Sequence, residues 1–180
     1  RHRGPDWNGI YCSSDEEIVI CHERLSIVGI DNGSQPIISK CGNYILSVNG
    51  EIYNYKNLLH NVLHDRYECT TTSDCEVIIY LYKEFGHNFI KMLDGIFSFI
   101  LYDKNKKEVI ISRDPIGILP LYCGISENNS IIACSELKCF DGDKLLELDV
   151  VLPGTFTVFR FEKQWKTDKK NIKYYNPSWK

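Results

Sequence analysis

The chain has 180 residues, 43% of them apolar, and a formal charge of -3. It is long enough to bury roughly 70% of its unfolded surface, and its interspersed charges create no field that would hold a nucleic acid or an acidic membrane. No apolar run has the length to cross a bilayer and no signal-peptide core is present.

Eight cysteines would be a disulfide framework in a small secreted chain. Cys21, Cys75, Cys123 and Cys134, however, sit inside apolar runs as small core residues do, which points to a reducing, cytoplasmic setting. No pair has C-x-x-C spacing, which argues against zinc.

Apolar or alternating runs at residues 10–12, 17–22, 36–39 and 44–48 read as strands. Asn49-Gly50 then carries the strongest short hairpin signal. The hexapeptide Asn49-Gly50-Glu51-Ile52-Tyr53-Asn54 also sets an amide, a glycine N–H and a carboxylate side by side where an apolar run ends. Leu58, Leu59, Val62 and Leu63, with Asn54 as a cap, predict a helix over 55–63. Ser73-Asp74-Cys75-Glu76 is a capping box before a second helix, with Val77, Ile78, Leu81 and Tyr82 as its stripe and Gly86 past its end.

Residues 95–103 are apolar at nearly every position, as in a strand covered on both faces, and the basic cluster 104–107 turns the chain into 108–113. Runs at 121–124, 130–134 and 155–161 complete the strands, and the polar, basic stretch 163–173 reads as a solvated terminal segment. Hairpin-paired strands with two helices predict an α+β layered domain over 1–162, with 163–180 leading onward.

A site for a free α-amino acid with a side-chain amide needs a cation for the carboxylate, an anion for the ammonium, and two donors for the oxyanion formed as the amide carbon turns tetrahedral. Arg24 at a strand end offers the bidentate cation, although pairing with Glu23 on the surface explains it as well. Asp74 in the first turn of the capped helix offers an anion, and the helix dipole alone also accounts for it. Asn49 and Gly50 supply one side-chain and one backbone N–H, and Glu51 stands beside them. His22 reads as a strand histidine with no serine or cysteine placed to partner it, and Arg3-Gly4-Pro5-Asp6 as a turn.

In order along the chain, Arg1-His2-Arg3-Gly4-Pro5-Asp6-Trp7, His22-Glu23-Arg24-Leu25-Ser26-Ile27-Val28, Val48-Asn49-Gly50-Glu51-Ile52-Tyr53-Asn54, Ser73-Asp74-Cys75-Glu76, Asp94-Gly95-Ile96-Phe97-Ser98-Phe99, Arg113-Asp114-Pro115-Ile116-Gly117-Ile118-Leu119-Pro120-Leu121-Tyr122, Ala133-Cys134-Ser135-Glu136-Leu137-Lys138 and Leu152-Pro153-Gly154 resemble the N-terminal glutaminase domain of the glutamine-hydrolysing asparagine synthetases. The resemblance implies a class II glutamine amidotransferase of the N-terminal-nucleophile type, a four-layer αββα sandwich of two antiparallel sheets.

It further implies that Arg24 holds the glutamine α-carboxylate, with Leu25, Ser26, Ile27 and Val28 lining the pocket. Glu51 and Asp74 would hold the ammonium, Asn49 and Gly50 would form the oxyanion hole, and Arg3 would support the nucleophile. That nucleophile is an N-terminal cysteine whose own amine assists its thiol, and in the family it precedes the Arg-His-Arg segment.

The 180 residues begin at Arg1 without a methionine and read as the middle of a longer protein. By themselves they are expected to be inactive, at most a glutamine-binding remnant. The expected partners are L-glutamine and a covalently linked synthetase domain, with a homodimer also admitted. ATP, magnesium and aspartate belong to that second domain, whose Ser-Gly-Gly-x-Asp-Ser loop is absent from the chain, and no cofactor is expected in the glutaminase domain. Two rival readings are an amidotransferase with another acceptor, such as a sugar phosphate, and a non-catalytic binding domain.

Overall fold

The computed structural model describes residues 2–15, 17–25, 33–142 and 144–177. The chain divides into two compact units, 1–95 and 96–180.

In the first unit, β1 (Trp7–Cys12) and β2 (Val19–Arg24) form an antiparallel hairpin that pairs Trp7 with Arg24 and Cys12 with Val19. Ile20, His22 and Arg24 are the more buried residues of β2, so Cys21 points outward and is exposed. It is not the core residue its apolar neighbours suggested, because a period of two turns alternate side chains to opposite faces.

The short β3 (Ile37–Ile38) pairs with β4 (Tyr44–Ile52), Ile37 opposite Leu46 and Ile38 opposite Ile45. After β4 come α1 (Tyr55–Asn57), one π-helical turn (Leu58–Val62), a 3-10 turn (Asp74–Glu76), α2 (Val77–Phe85) and a further 3-10 segment (Gly86–Met92). Ile37, Ile45, Leu46, Leu63, Ile78, Leu81, Tyr82 and Phe89 are among the fully buried side chains.

Asn54 does not cap the 55–63 helix. Its side chain donates to Met92 O at 2.9 Å and accepts from Asp94 N at 3.1 Å, tying the strand end to the segment before β5 instead. The capping box is only half formed: Ser73 Oγ accepts from Cys75 N at 3.3 Å, but Glu76 does not reach back. The Glu76 carboxylate, buried, instead accepts from the N–H and hydroxyl groups of Thr70 and Thr71 at 2.7–2.9 Å and from Tyr80 Oη at 2.6 Å. Tyr80 stacks on Tyr67 with 4.7 Å between ring centroids. Its burial, with that of Ile79, makes the covered face of α2 wider than the stripe read from the sequence.

Burial alone would raise the Glu76 carboxyl, but the Thr70 N–H, the Tyr80 hydroxyl and the Thr71 donors outweigh it and hold the group below its ordinary value. A depressed folded-state value contributes stability above the unfolded carboxyl pKa of about 4.3, which is lost as pH falls through the folded value. Glu76→Gln is therefore expected to be about 1–3 kcal/mol less stable at pH 7, with the gap narrowing below about pH 4. Urea melts at both pH values check this, and an unchanged gap would refute it.

In the second unit, β5 (Gly95–Asp103), β6 (Glu108–Arg113), β10 (Thr155–Phe161) and β11 (Trp165–Lys173) run antiparallel, with β6 between β5 and β10 and β11 on the far side of β10. Between β6 and β10, the chain forms β7 (Tyr122–Ser126), β8 (Ile131–Cys134) and β9 (Leu145–Val150), a three-stranded sheet with β7 central. Ile111, Leu121, Val151 and Phe159 form a buried cluster, with Ile100, Val109, Cys123 and Trp165 packed against it. β5 is largely covered on both faces, as its composition predicts. Asp103 Oδ1 accepts from the N–H groups of Asn105 and Lys106 and sets the basic turn.

The stretch 163–173 is mostly exposed, but it is a strand rather than a solvated tail. Its backbone pairs along β10, and Lys170 bridges Glu147 and Asp149. A neighbouring strand with unpaired N–H and C=O groups imposes strand geometry on residues whose own propensity is low.

Candidate functional site

Asn49-Gly50 is not a hairpin turn: β4 continues through it to Ile52. Gly50 has φ +145°, a conformation that L side chains rarely adopt and glycine reaches freely. The strand end is then held by distant groups. Asp74 Oδ2 accepts from Ile52 N at 2.6 Å, and Tyr53 N donates to Asp94 O at 2.8 Å.

Asp74 is buried and so lies against β4, two residues past Gly50. Its Oδ1 takes no hydrogen bond from the described residues. The Cys75 thiol donates to Gly50 O at 3.5 Å and to Asp74 Oδ2 at 3.7 Å. Burial, followed by the Asp74 charge, pushes that thiol well above its ordinary value, so it stays protonated and serves as a packed donor rather than a nucleophile.

Asn49 and Glu51 flank Gly50 and are both half-buried. Among the described residues neither side chain has a hydrogen-bond or ion-pair partner. A half-buried amide and carboxylate in that condition are available to a ligand.

Arg24 is buried at the end of β2, which excludes the surface arginine that pairing with Glu23 would make of it. Asp6 N donates to Arg24 O at 3.2 Å, which seats the Arg3-Gly4-Pro5-Asp6 segment beside the end of β2, with Arg3 exposed. Leu25 is exposed, and Ser26, Ile27 and Val28 lie outside the described residues.

His22 does have a serine partner, contrary to the sequence reading: Nδ1 lies 3.0 Å from Ser47 Oγ on β4. Burial and then the Arg24 charge lower the imidazole to about 4, so it is neutral at physiological pH. Among the described residues no group of three or more His, Cys, Asp and Glu side chains is placed to hold a metal, and no helix is long and apolar enough to cross a membrane.

A family model described as a glutamine amidotransferase domain matches residues 1–178. The chain belongs to the glutamine amidotransferase domain family. It is 44% identical over 183 aligned residues to a probable glutamine-hydrolysing asparagine synthetase of Schizosaccharomyces pombe and 41% identical over 182 to asparagine synthetase B of Escherichia coli K12; each alignment covers 99% of the chain and 30% of the relative. The chain thus spans about a third of the length of these curated relatives.

Solved structures share the fold, two enzymes among them. One is described as the allosteric regulatory enzyme of purine biosynthesis, with TM-score 0.67, 26% identity and coverage of 84% of the chain and 34% of that structure. The other is the glutamine phosphoribosylpyrophosphate amidotransferase of B. subtilis, with TM-score 0.66, 28% identity and the same coverage. The fold is the mixed α+β fold of N-terminal-nucleophile amidotransferases, as the resemblance implied.

In this amidotransferase domain Asn49, Glu51 and Asp74, all three legible in the sequence, lie at the Gly50 strand end, but what holds them there was not legible. Cys75 beneath Gly50 and Asp94 beside Tyr53 carry no local signal, because each acts from more than 20 positions away. Gly9 lies inside β1, where a glycine marks close backbone approach, but the run read from the sequence began at residue 10 and left it out.

Proposed function

We propose that this domain binds L-glutamine and hydrolyses its side-chain amide to glutamate and ammonia, as the glutaminase half of an ATP-dependent asparagine synthetase that amidates aspartate. The observation that carries the reading is the pair Asn49 and Glu51 around Gly50, without a side-chain partner among the described residues, with Asp74 tied in two residues further on.

Arg24 clamps the α-carboxylate, with Leu25, Ser26, Ile27 and Val28 lining the pocket as in the family pattern. Glu51 and the spare oxygen of Asp74 take the ammonium. The thiolate of an N-terminal cysteine attacks the amide carbon, and the Asn49 amide and Gly50 N–H receive the oxyanion. Ammonia leaves, and water then cleaves the thioester to release glutamate. Arg3 stands by the attacking thiol. ATP and magnesium act in the linked synthetase domain, and eight free thiols suit a reducing cytoplasm.

The test is to supply the full-length protein with amide-15N glutamine, aspartate and ATP and to find the label in asparagine. Labelled ammonia without asparagine would replace the acceptor, and no glutamate at all would overturn the glutaminase. Arg24→Lys keeps the charge but loses bidentate geometry. One lost charged hydrogen bond, about 1.5–3 kcal/mol, corresponds to a rise in the glutamine KM of roughly 10- to 100-fold. An unchanged KM would count against the clamp.

A further inference from the structure

The ladder between β3 and β4 is two residues long, although β4 itself has nine. Continuing the register of Ile37 opposite Leu46 sets residue 36 opposite Ser47 and residue 35 opposite Val48. Position 36 is proline, with no N–H to donate, so the main-chain ladder stops there.

At the next register position the side chain of Gln35 takes over. Its Oε1 accepts from Val48 N at 2.7 Å and its Nε2 donates to Val48 O at 2.7 Å. A primary carboxamide presents the donor and acceptor of a peptide group, so it substitutes for a strand partner. The Gln35 backbone is itself seated against β1: a Cβ on Gly9 would fall 2.0 Å from Gln35 O. One residue earlier on β4, Ser47 is joined to β2 by His22 at 3.0 Å.

Asn49 and Gly50 are therefore the first residues beyond two clamped ones. The Val48 C=O shares its peptide plane with the Asn49 N–H, so holding that carbonyl fixes the direction in which the Asn49 side chain leaves the strand. We propose that Gln35 is a positioning residue for the oxyanion donors, aiming the Asn49 amide through the Val48 peptide. The proposal rests on the glutaminase reading above.

Displaced donors weaken the transition state more than the bound substrate. In the full-length protein Gln35→Met, similar in size but without the amide, is expected to lower the kcat of glutamine hydrolysis about 10- to 100-fold with KM within about twofold. In an Asn49→Ala background the same change is expected to cost less than about threefold more, because the group being aimed is already gone.

Turnover is counted per folded site, by labelling with a glutamine-analogue electrophile. Should Gln35→Met fail to fold, Gln35→Glu, which keeps the size and an acceptor, is read the same way. A kcat within twofold of wild type, a parallel rise in KM, or additivity with Asn49→Ala overturns the positioning role while leaving the glutaminase intact. A wild type that releases no glutamate overturns both.

Discussion

Asn49→Ala in the full-length protein is expected to lower the kcat of glutamine hydrolysis about 100- to 1,000-fold, the loss of roughly 2.7–4 kcal/mol that follows removal of one oxyanion donor. The glutamine KM should move little, because the amide oxygen becomes a strong acceptor only as the carbon turns tetrahedral. The size of the effect follows from the amide's surroundings. Among the described residues nothing else uses the Asn49 side chain, so the truncation removes a donor without unpairing a protein group. Melting temperature should therefore stay near that of wild type. Steady-state kinetics with glutamate detection check the result, and kcat within a factor of ten of wild type would remove Asn49 from the oxyanion hole.

The second large effect is on stability. Asp114 is fully buried, and its carboxylate is caged by four backbone N–H groups: Ile116, Gly117 and Ile118 on Oδ1 and Leu119 on Oδ2, at 2.6–3.3 Å. The neighbouring Arg113 donates to Leu119 O, Val151 O and Gly117 O at 2.5–3.1 Å, so the same loop is held through its carbonyls as well. Asp114→Ala leaves the Ile116, Ile118 and Leu119 N–H groups without their acceptor, while Gly117 N keeps only the Asp114 carbonyl at 3.2 Å. With charged hydrogen bonds worth about 1.5–3 kcal/mol each, and exposed amides recovering water, the expected net loss is about 3 kcal/mol. That corresponds to a melting temperature about 6–12 °C lower for a chain of this size. Asp114→Asn, which keeps a single carbonyl acceptor, should fall between. Scanning calorimetry decides it, and a shift of less than about 2 °C for Asp114→Ala would show that the cage is incidental.

Legibility followed the range of the interactions. β6 and β10 were read at their observed limits and β5 at the full 95–103 span, because apolar or alternating runs report burial that each strand carries with it. α2 was found from its own sequence, although Tyr80, turned inward by Glu76, widened its buried face. β11 was missed since its lysines and asparagine describe the solvent it faces, while its strand state comes from β10. The turn read at Asn49-Gly50 failed for a related reason: local propensity favours a hairpin, but Asp74 and Asp94 claim the N–H groups of Ile52 and Tyr53 and keep the strand running.

By itself the sequence determined the family, through the order of its motifs, and the chemistry available to the site: a guanidinium, two carboxylates, an amide and a glycine within a span of 51 residues, from Arg24 to Asp74. It sorted residues of like chemistry by local pattern and family resemblance, without sight of their partners. Asn49, Asn54 and Gln35 are all carboxamides, and Glu51, Asp74 and Glu76 all carboxylates. Only the tertiary structure shows that Asn54 is taken up by Met92 and Asp94, Gln35 by Val48 and Glu76 by the threonines and Tyr80. Among the described residues nothing takes up the side chains of Asn49 and Glu51. A polar side chain spends its hydrogen bonds on whatever the fold brings to it, and mostly those partners lie far along the chain, where no local pattern records them.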